Sequence, residues 1–264
     1  MNVLPLAKRV QIINLLVEGN SLRGTSRIAE VSINTVTKVL VTVGRACQIF
    51  HDQKIRNIKS ERVQCDEIWS FVYSKEKNTA EEDRGTGVGD VWTWVGIDAD
   101  TKLVISWYVG NRSAEDAYIF MKDVKRRLRN RVQLTTDGYK AYLNAVPDAF
   151  GSRIDYAQLI KLYDDNGRYK GAERRTILGK PDKKKITTAH VERQNLTMRM
   201  HMRRFARKTN AFSKKVENHC YAQAIHFVYY NFVRIHKTLR VTPAMQAGIV
   251  KEPMELIDLA QLIE

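Results

Sequence analysis

The order of strand-like and helix-like segments between Arg62 and Leu162 constrains this chain more than any other feature. Arg62 to Tyr73 is rich in β-branched and aromatic residues and reads as a buried strand. Val88 to Asp98 and Lys102 to Gly110 read as two more, joined by the turn Asp98-Ala99-Asp100-Thr101. The connections are too short for parallel pairing, which predicts an antiparallel meander. Ser113 caps a helix running to about Arg129, with Ala117, Phe120, Met121, Val124 and Leu128 on its apolar face. Val132 to Thr136 is a fourth strand; because it is reached through a helix, it should lie parallel to the first. A helix opening at Gly138, through Tyr139, Tyr142 and Leu143, ends before Pro147, and Tyr156 to Leu162 is a fifth strand. Residues 164–188 are polar, with Gly167, Gly171, Gly179 and Pro181, and read as a loop or insertion. Thr188 then caps a long helix from Ala189 to about Lys208, and another runs from Ser213 to about Phe232. This order predicts an α/β fold: a mixed five-stranded sheet with flanking helices, the arrangement found in ribonuclease-H-like domains.

The N-terminal part follows a different pattern. Leu6, Val10, Ile13 and Val17 recur at helical spacing, Gly19-Asn20 stops that helix, and Ser21 caps a short second one ending near Ala29. After a turn at Glu30-Val31, Ser32 caps a third helix, Ile33 to Val43. Helix, short helix, tight turn, helix is the pattern of a helix-turn-helix, although the turn carries Glu30 where glycine is common. The third helix offers Asn34, Thr35, Thr37 and Lys38 to a DNA groove while Val36, Val39 and Leu40 pack inward. The expected organisation is a small all-α domain (1–45), a basic linker (46–60), a ribonuclease-H-like domain (61–240) and a C-terminal tail (241–264).

Charge narrows the function. The net charge of +15 divides into +6 over residues 1–60, zero over 61–179, +12 over 180–240 and −3 over 241–264. Two basic blocks flanking a neutral middle fit neutralisation of phosphates better than a merely solvated surface. No apolar run is long enough to span a membrane, and the first residues lack the core of a signal peptide, so a cytoplasmic chain is expected. Cys47, Cys65 and Cys220 are far apart and form no CxxC, which argues against a disulfide framework or a zinc ribbon. Cys47 and His51 have no further ligands nearby. Trp69, Trp92, Trp94 and Trp107 all fall in strands and read as core.

Phosphodiester chemistry without zinc calls for hard cations such as Mg²⁺ held by carboxylates from different elements. Asp66 lies in the middle of the first strand, where a charge is costly unless paired or bound to metal. Asp137 ends the fourth strand, next to the first, and precedes Gly138. Glu192 lies in the first turn of the long helix, where the dipole favours an anion. Each has an ordinary structural explanation taken alone; as a set, in this element order, they read as a metal site. Glu67 should point to the opposite face from Asp66 and serve as a hydrogen-bonding structural residue. Arg199 and Arg203 stand on the Glu192 face of the long helix, and Val191, Met198, Met202 and Phe205 form its core stripe.

Three segments carry a family resemblance. Gln64-Cys65-Asp66-Glu67-Ile68-Trp69-Ser70-Phe71, Thr136-Asp137-Gly138-Tyr139-Lys140-Ala141-Tyr142 and His190-Val191-Glu192-Arg193-Gln194-Asn195 resemble the catalytic motifs of bacterial DDE insertion-sequence transposases, nearest to the insertion-sequence-one-like family. The segment Tyr230 to Leu239 is similar to the end of integrase-type catalytic cores. The resemblance implies that Asp66, Asp137 and Glu192 are catalytic and bind metal, two Mg²⁺ ions with Mn²⁺ as a substitute, and that Arg199 contacts the element end. It further implies hydrolysis at the ends of a mobile element, attack of the freed 3′ hydroxyl on target DNA, a homo-oligomer on double-stranded DNA, and no nucleotide cofactor. The expected location is the cytoplasm, with the nucleoid. A transposase-derived regulator without catalysis, and a nuclease without strand transfer, are the alternatives. The interval from Asp137 to Glu192, 55 residues, is longer than in related integrases, and zinc-binding cysteines found near the N-terminus of some relatives are missing.

Overall fold

The structure, a computed structural model, describes residues 4–83, 85–206 and 209–263. They fall into two compact units, one of residues 1–54, 69–91 and 196–264, the other of residues 55–68 and 92–195. Among the described residues, no helix is long and apolar enough to cross a membrane.

The second unit is built on a mixed sheet. Its strands are β1 (Arg62–Val72), β2 (Gly89–Asp98), β3 (Val104–Gly110), β4 (Gln133–Thr136), β5 (Asp155–Tyr163) and β6 (Tyr169–Leu178), in the spatial order β3-β2-β1-β4-β5-β6. β2 and β3 pair antiparallel, while β1 with β4 and β4 with β5 pair parallel. The expected antiparallel pairing of β2 with β3 and the crossover to a fourth strand parallel to the first are therefore present. The sheet has six strands rather than five: β6 pairs antiparallel with β5 inside the segment read as a loop. β6 is an edge strand with mostly exposed residues, so it lacks the alternation of buried and exposed positions that marks a strand in a sequence.

Helix α4 (Ala114–Arg127) is capped by Ser113, whose hydroxyl accepts from the Asp116 amide. It buries Ala117, Phe120, Met121 and Val124, the apolar face expected of it. Helix α5 (Tyr142–Phe150) continues through Pro147 instead of stopping before it. Tyr142, Ala145, Val146 and Phe150 form one buried face spanning the proline, so packing outweighs the single backbone bond that proline cannot make.

The first unit is helical apart from the inner ends of β1 and β2. Helices α1 (Leu6–Val17), α2 (Leu22–Ile28) and α3 (Ile33–Lys54) follow the expected order, with Ser21 accepting from the Gly24 amide at 2.9 Å and Ser32 from the Thr35 amide at 3.1 Å. Glu30 takes the left-handed conformation, φ 53°, that glycine usually fills in such a turn. Helix α3 does not end at Val43. It runs through most of the expected linker to Lys54, because residues 46–54 contain no breaker and Cys47 and His51 extend the buried stripe of Val36, Val39, Leu40 and Val43. That stripe meets helix α7 (Val216–Val228) so closely that a Cβ on Gly44 would lie 2.4 Å from the Tyr221 Cβ. The tail is also structured: it holds α8 (Pro243–Gln246) and α9 (Leu256–Gln261), the latter packed on α1.

Helix α6 (Ala189–His201) is shorter than expected. Arg199 lies in its last turn, whereas Arg203 falls beyond its end in a single tight turn, so the two arginines do not share one helical face. Val191, Met198, Met202 and Phe205 are buried, as their spacing predicts.

Candidate functional site: an acidic cluster on neighbouring strands

In the parallel pair β1–β4, Cys65 stands opposite Thr136. The next residue on each strand is an aspartate, so Asp66 and Asp137 emerge side by side. Asp137 follows the last residue of β4, before the chain turns at Gly138, and its Oδ1 accepts from the Tyr139 amide at 3.0 Å. Ligand oxygens of Asp66, Glu67 and Asp137 all lie within 4.8 Å of one another. The expectation that Glu67 would point away from this group is thus corrected. Strand alternation sets the direction of Cβ, not where the end of a longer side chain arrives.

Glu67 also keeps its structural bonds. Arg112 donates from Nε to its Oε1 at 2.8 Å, and the Tyr142 hydroxyl donates to its Oε2 at 3.1 Å. The Arg112 guanidinium stacks 4.1 Å from the centre of the Tyr139 ring and 4.8 Å from that of Trp92.

Glu192 arrives from α6, whose start is tied to β1. Buried Gln64 accepts from the amides of His190 at 2.8 Å and Val191 at 3.2 Å. One turn after Glu192, Asn195 donates to Asp66 Oδ2 at 2.8 Å. Glu192 itself is held by Lys161 Nζ at 2.8 Å and by the Thr188 hydroxyl. It is not among the three residues whose oxygens converge within 4.8 Å.

The electrostatics of the cluster are strained. Burial, then the charges of Glu67 and Asp137, push the Asp66 carboxyl up to about 7. Burial also raises Asp137, against the pull of the Tyr139 amide, Arg112 and Lys161. Glu67 is raised by burial and by Asp137, with Arg112 and Tyr142 opposing. Lys161 loses hydration, yet its bond to Glu192 leaves its ammonium group raised overall. Arg112 and Lys161 pair with the two glutamates, and among the described residues neither aspartate makes an ion pair. A set of hard carboxylate oxygens with excess negative charge matches the ligand preference of Mg²⁺ or Mn²⁺.

Gln64, Arg112, Lys161 and Asn195 belong to this site and were not singled out from the sequence. Asn195 had a usable signal, three residues after Glu192 and therefore on the same helical face. So did Lys161, an isolated charge inside a strand. Arg112 had none, since it lies in the connection between β3 and α4 and its partner Glu67 is on a strand 45 residues earlier.

The DNA-reading candidates lie in the first two turns of α3. Asn34 and Lys38 are exposed. The Thr35 hydroxyl is bonded to Ser32 Oγ at 2.9 Å, and that of Thr37 donates to the Ile33 carbonyl at 2.9 Å, so both are engaged locally. Arg199 is half-buried and Arg203 exposed.

The sequence model of the IS1 transposase family matches residues 156–237, a span that contains Glu192 and Arg199 but neither aspartate. The InsB protein of insertion element iso-IS1n from Shigella dysenteriae is 28% identical over 156 residues, 58% of this chain and 84% of that protein. Among solved structures, the piggyBac transposase synaptic complex with hairpin DNA aligns with a TM-score of 0.51 and 9% identity over 98% of this chain and 69% of the other. At that identity the likeness is one of fold.

Proposed function

We propose that the chain, similar to the IS1 transposase family over residues 156–237 and to an iso-IS1n InsB protein, is a DNA transposase, which binds the ends of a mobile element, hydrolyses a phosphodiester there and transfers the freed 3′-hydroxyl strand into target DNA. The observation that carries this reading is the emergence of Asp66 and Asp137 at equivalent positions on adjacent parallel strands, with Asn195 linking the Glu192 helix to Asp66.

In this reading Asp66, Asp137 and Glu192 hold two divalent cations, Mg²⁺ or Mn²⁺. Bound there, the ions would supply Lewis acidity at the phosphate and a more acidic water or hydroxyl. The chain's own groups prepare the site. Gln64 anchors the start of α6, Asn195 orients Asp66, and the Tyr139 amide orients Asp137. Arg112 balances Glu67, leaving the two aspartates to the cations. Asn34, Thr35, Thr37 and Lys38 read the element end, and Arg199 and Arg203 neutralise backbone phosphates. Residues 1–45 serve as the end-reading part and 61–240 as the catalytic part. Double-stranded DNA is the partner, no nucleotide cofactor takes part, and joining two ends calls for a homo-oligomer in the cytoplasm, on the nucleoid.

The test is a cleavage and joining assay on an element end in Mg²⁺. Asp66→Asn, Asp137→Asn and Glu192→Gln should each abolish cleavage while DNA binding persists. Full cleavage by any of them overturns the assignment, and cut but never joined products would reassign the chain to a nuclease. For Arg199→Ala, the dependence of end binding on salt should become shallower by about one unit of slope; an unchanged slope removes Arg199 from the phosphate contacts.

A further inference from the structure

The hairpin β5–β6 is the part of the sheet that sequence patterns did not show, and its exposed face has an unusual composition. Tyr163 and Tyr169 are 59% and 62% exposed, at the open end of the sheet. They are cross-strand partners, with ring centres 6.2 Å apart in an edge-to-face arrangement. Directly opposed residues share a face of the sheet, and Lys161 lies two residues before Tyr163 on the same strand, next to a shift of register between Leu162 and Tyr163. Lys161 is the residue that reaches Glu192. The tyrosine pair therefore lies about 7 Å along the strand from the side chain that holds Glu192.

The surroundings are basic. Residues 161–185 hold nine Lys or Arg against four Asp or Glu. Of the acids, Asp164 turns inward to cap the hairpin loop through the Asn166 and Arg168 amides, and Glu173 is paired with Arg175. Arg168 and Lys170, which flank Tyr169, are exposed.

Exposed rings interleaved with cations are the means by which proteins hold unpaired nucleotides, because each base has a face to stack whereas a duplex hides it. We propose that this face of the β5–β6 hairpin is a binding site for an unpaired DNA strand, with Tyr163 and Tyr169 stacking on its bases and the strand leading past Lys161 to the acidic cluster. The direction toward the cluster rests on the catalytic reading above; the stacking itself does not.

The test uses the full chain in EDTA, with a labelled oligothymidylate and a blunt duplex of equal length as probes, read by fluorescence anisotropy. Tyr163→Ala with Tyr169→Ala should weaken oligothymidylate binding about tenfold or more and leave duplex binding and its salt dependence unchanged. Tyr163→Trp with Tyr169→Trp should retain binding of the single strand, which separates stacking from damage to the hairpin. Unchanged oligothymidylate affinity in the alanine pair overturns the proposal. So does a loss that coincides with a shift to a smaller species in light scattering, which would make the hairpin a contact between copies of the chain. Because no metal or cleavage is involved, an active Asp66→Asn enzyme would defeat the catalytic reading without touching this result, and the reverse also holds.

Discussion

The two units bury charge of opposite sign and handle it differently. The helical unit encloses Arg204, His219 and His226, and burial lowers the first to about 10 and each histidine to about 3. For Arg204 and His219 the partners are neutral. Arg204 donates to Ser213 Oγ at 2.8 Å and to the Asn218 carbonyl at 3.1 Å, and His219 bridges the hydroxyls of Ser70 and Ser213. Both histidines remain uncharged. The sheet unit encloses Asp66, Glu67 and Asp137, and its own cations go to Glu67 and Glu192. The aspartates are left with excess negative charge, which a polypeptide seeking only stability would not retain. A buried charge that the chain neutralises itself reads as structure; one that it leaves open reads as a place for an external cation.

The contrast is broken most directly at Asp66. Its folded value is raised from 3.8 to about 7, so its cost is absent below 3.8 and grows as pH rises through 7. At pH 8 without metal, Asp66→Asn should therefore gain up to about 4 kcal/mol in urea unfolding. A destabilised variant would mean that the cluster is not strained. A smaller effect is expected from the cation itself. Mg²⁺ at about 100 times its Kd should stabilise the parent by about 3 kcal/mol, seen as a higher Tm, and Asp137→Asn should erase the shift; an equal shift in both would place the binding elsewhere.

The histidines test the other side. A value lowered from 6.5 to about 3 means stability that is present above 6.5 and lost as pH falls toward 3. His226 faces His201 and Arg234, which also disfavour its proton, and neither of its ring nitrogens has a partner. Between pH 7.5 and 5 it should cost about 2 kcal/mol, and His226→Phe should flatten the stability profile by that amount. A variant as acid-sensitive as the parent would remove His226 from the account. The smallest effect is expected at the helix-turn-helix, where Ser21→Ala removes the cap of α2 and should lower stability by about 1 kcal/mol, with no change in the response to Mg²⁺. Any loss of that response would show that the two kinds of charge burial are not independent.

How much was legible depended on how local the cause was. Caps at Ser21, Ser32 and Ser113 depend on a residue and the amides that follow it, and all three are where the sequence puts them. The run of β1 through β5 was legible because each strand has a buried face. The end of α5 was misread because proline is a local signal that packing overrode, and the length of α3 because a basic, apolar-poor stretch reads as a linker until its buried Cys47 and His51 are seen. Within the site, the proximity of Asp66 and Asp137 could be deduced from strand order. The approach of Glu67, the pairing of Arg112 with it and the hold of Lys161 on Glu192 could not.

By itself, the sequence determined the element order, the parallel pairing of β1 with β4 and therefore the shared position of two aspartates, because periodicity and connection length are properties of the chain. Tertiary structure alone decided which carboxylates received a cation from the protein. That depends on Arg112 and Lys161 arriving from separate elements, 45 and 31 residues away from the glutamates they hold. Charge neutralisation acts over a few ångströms in space, and no spacing along a sequence records it.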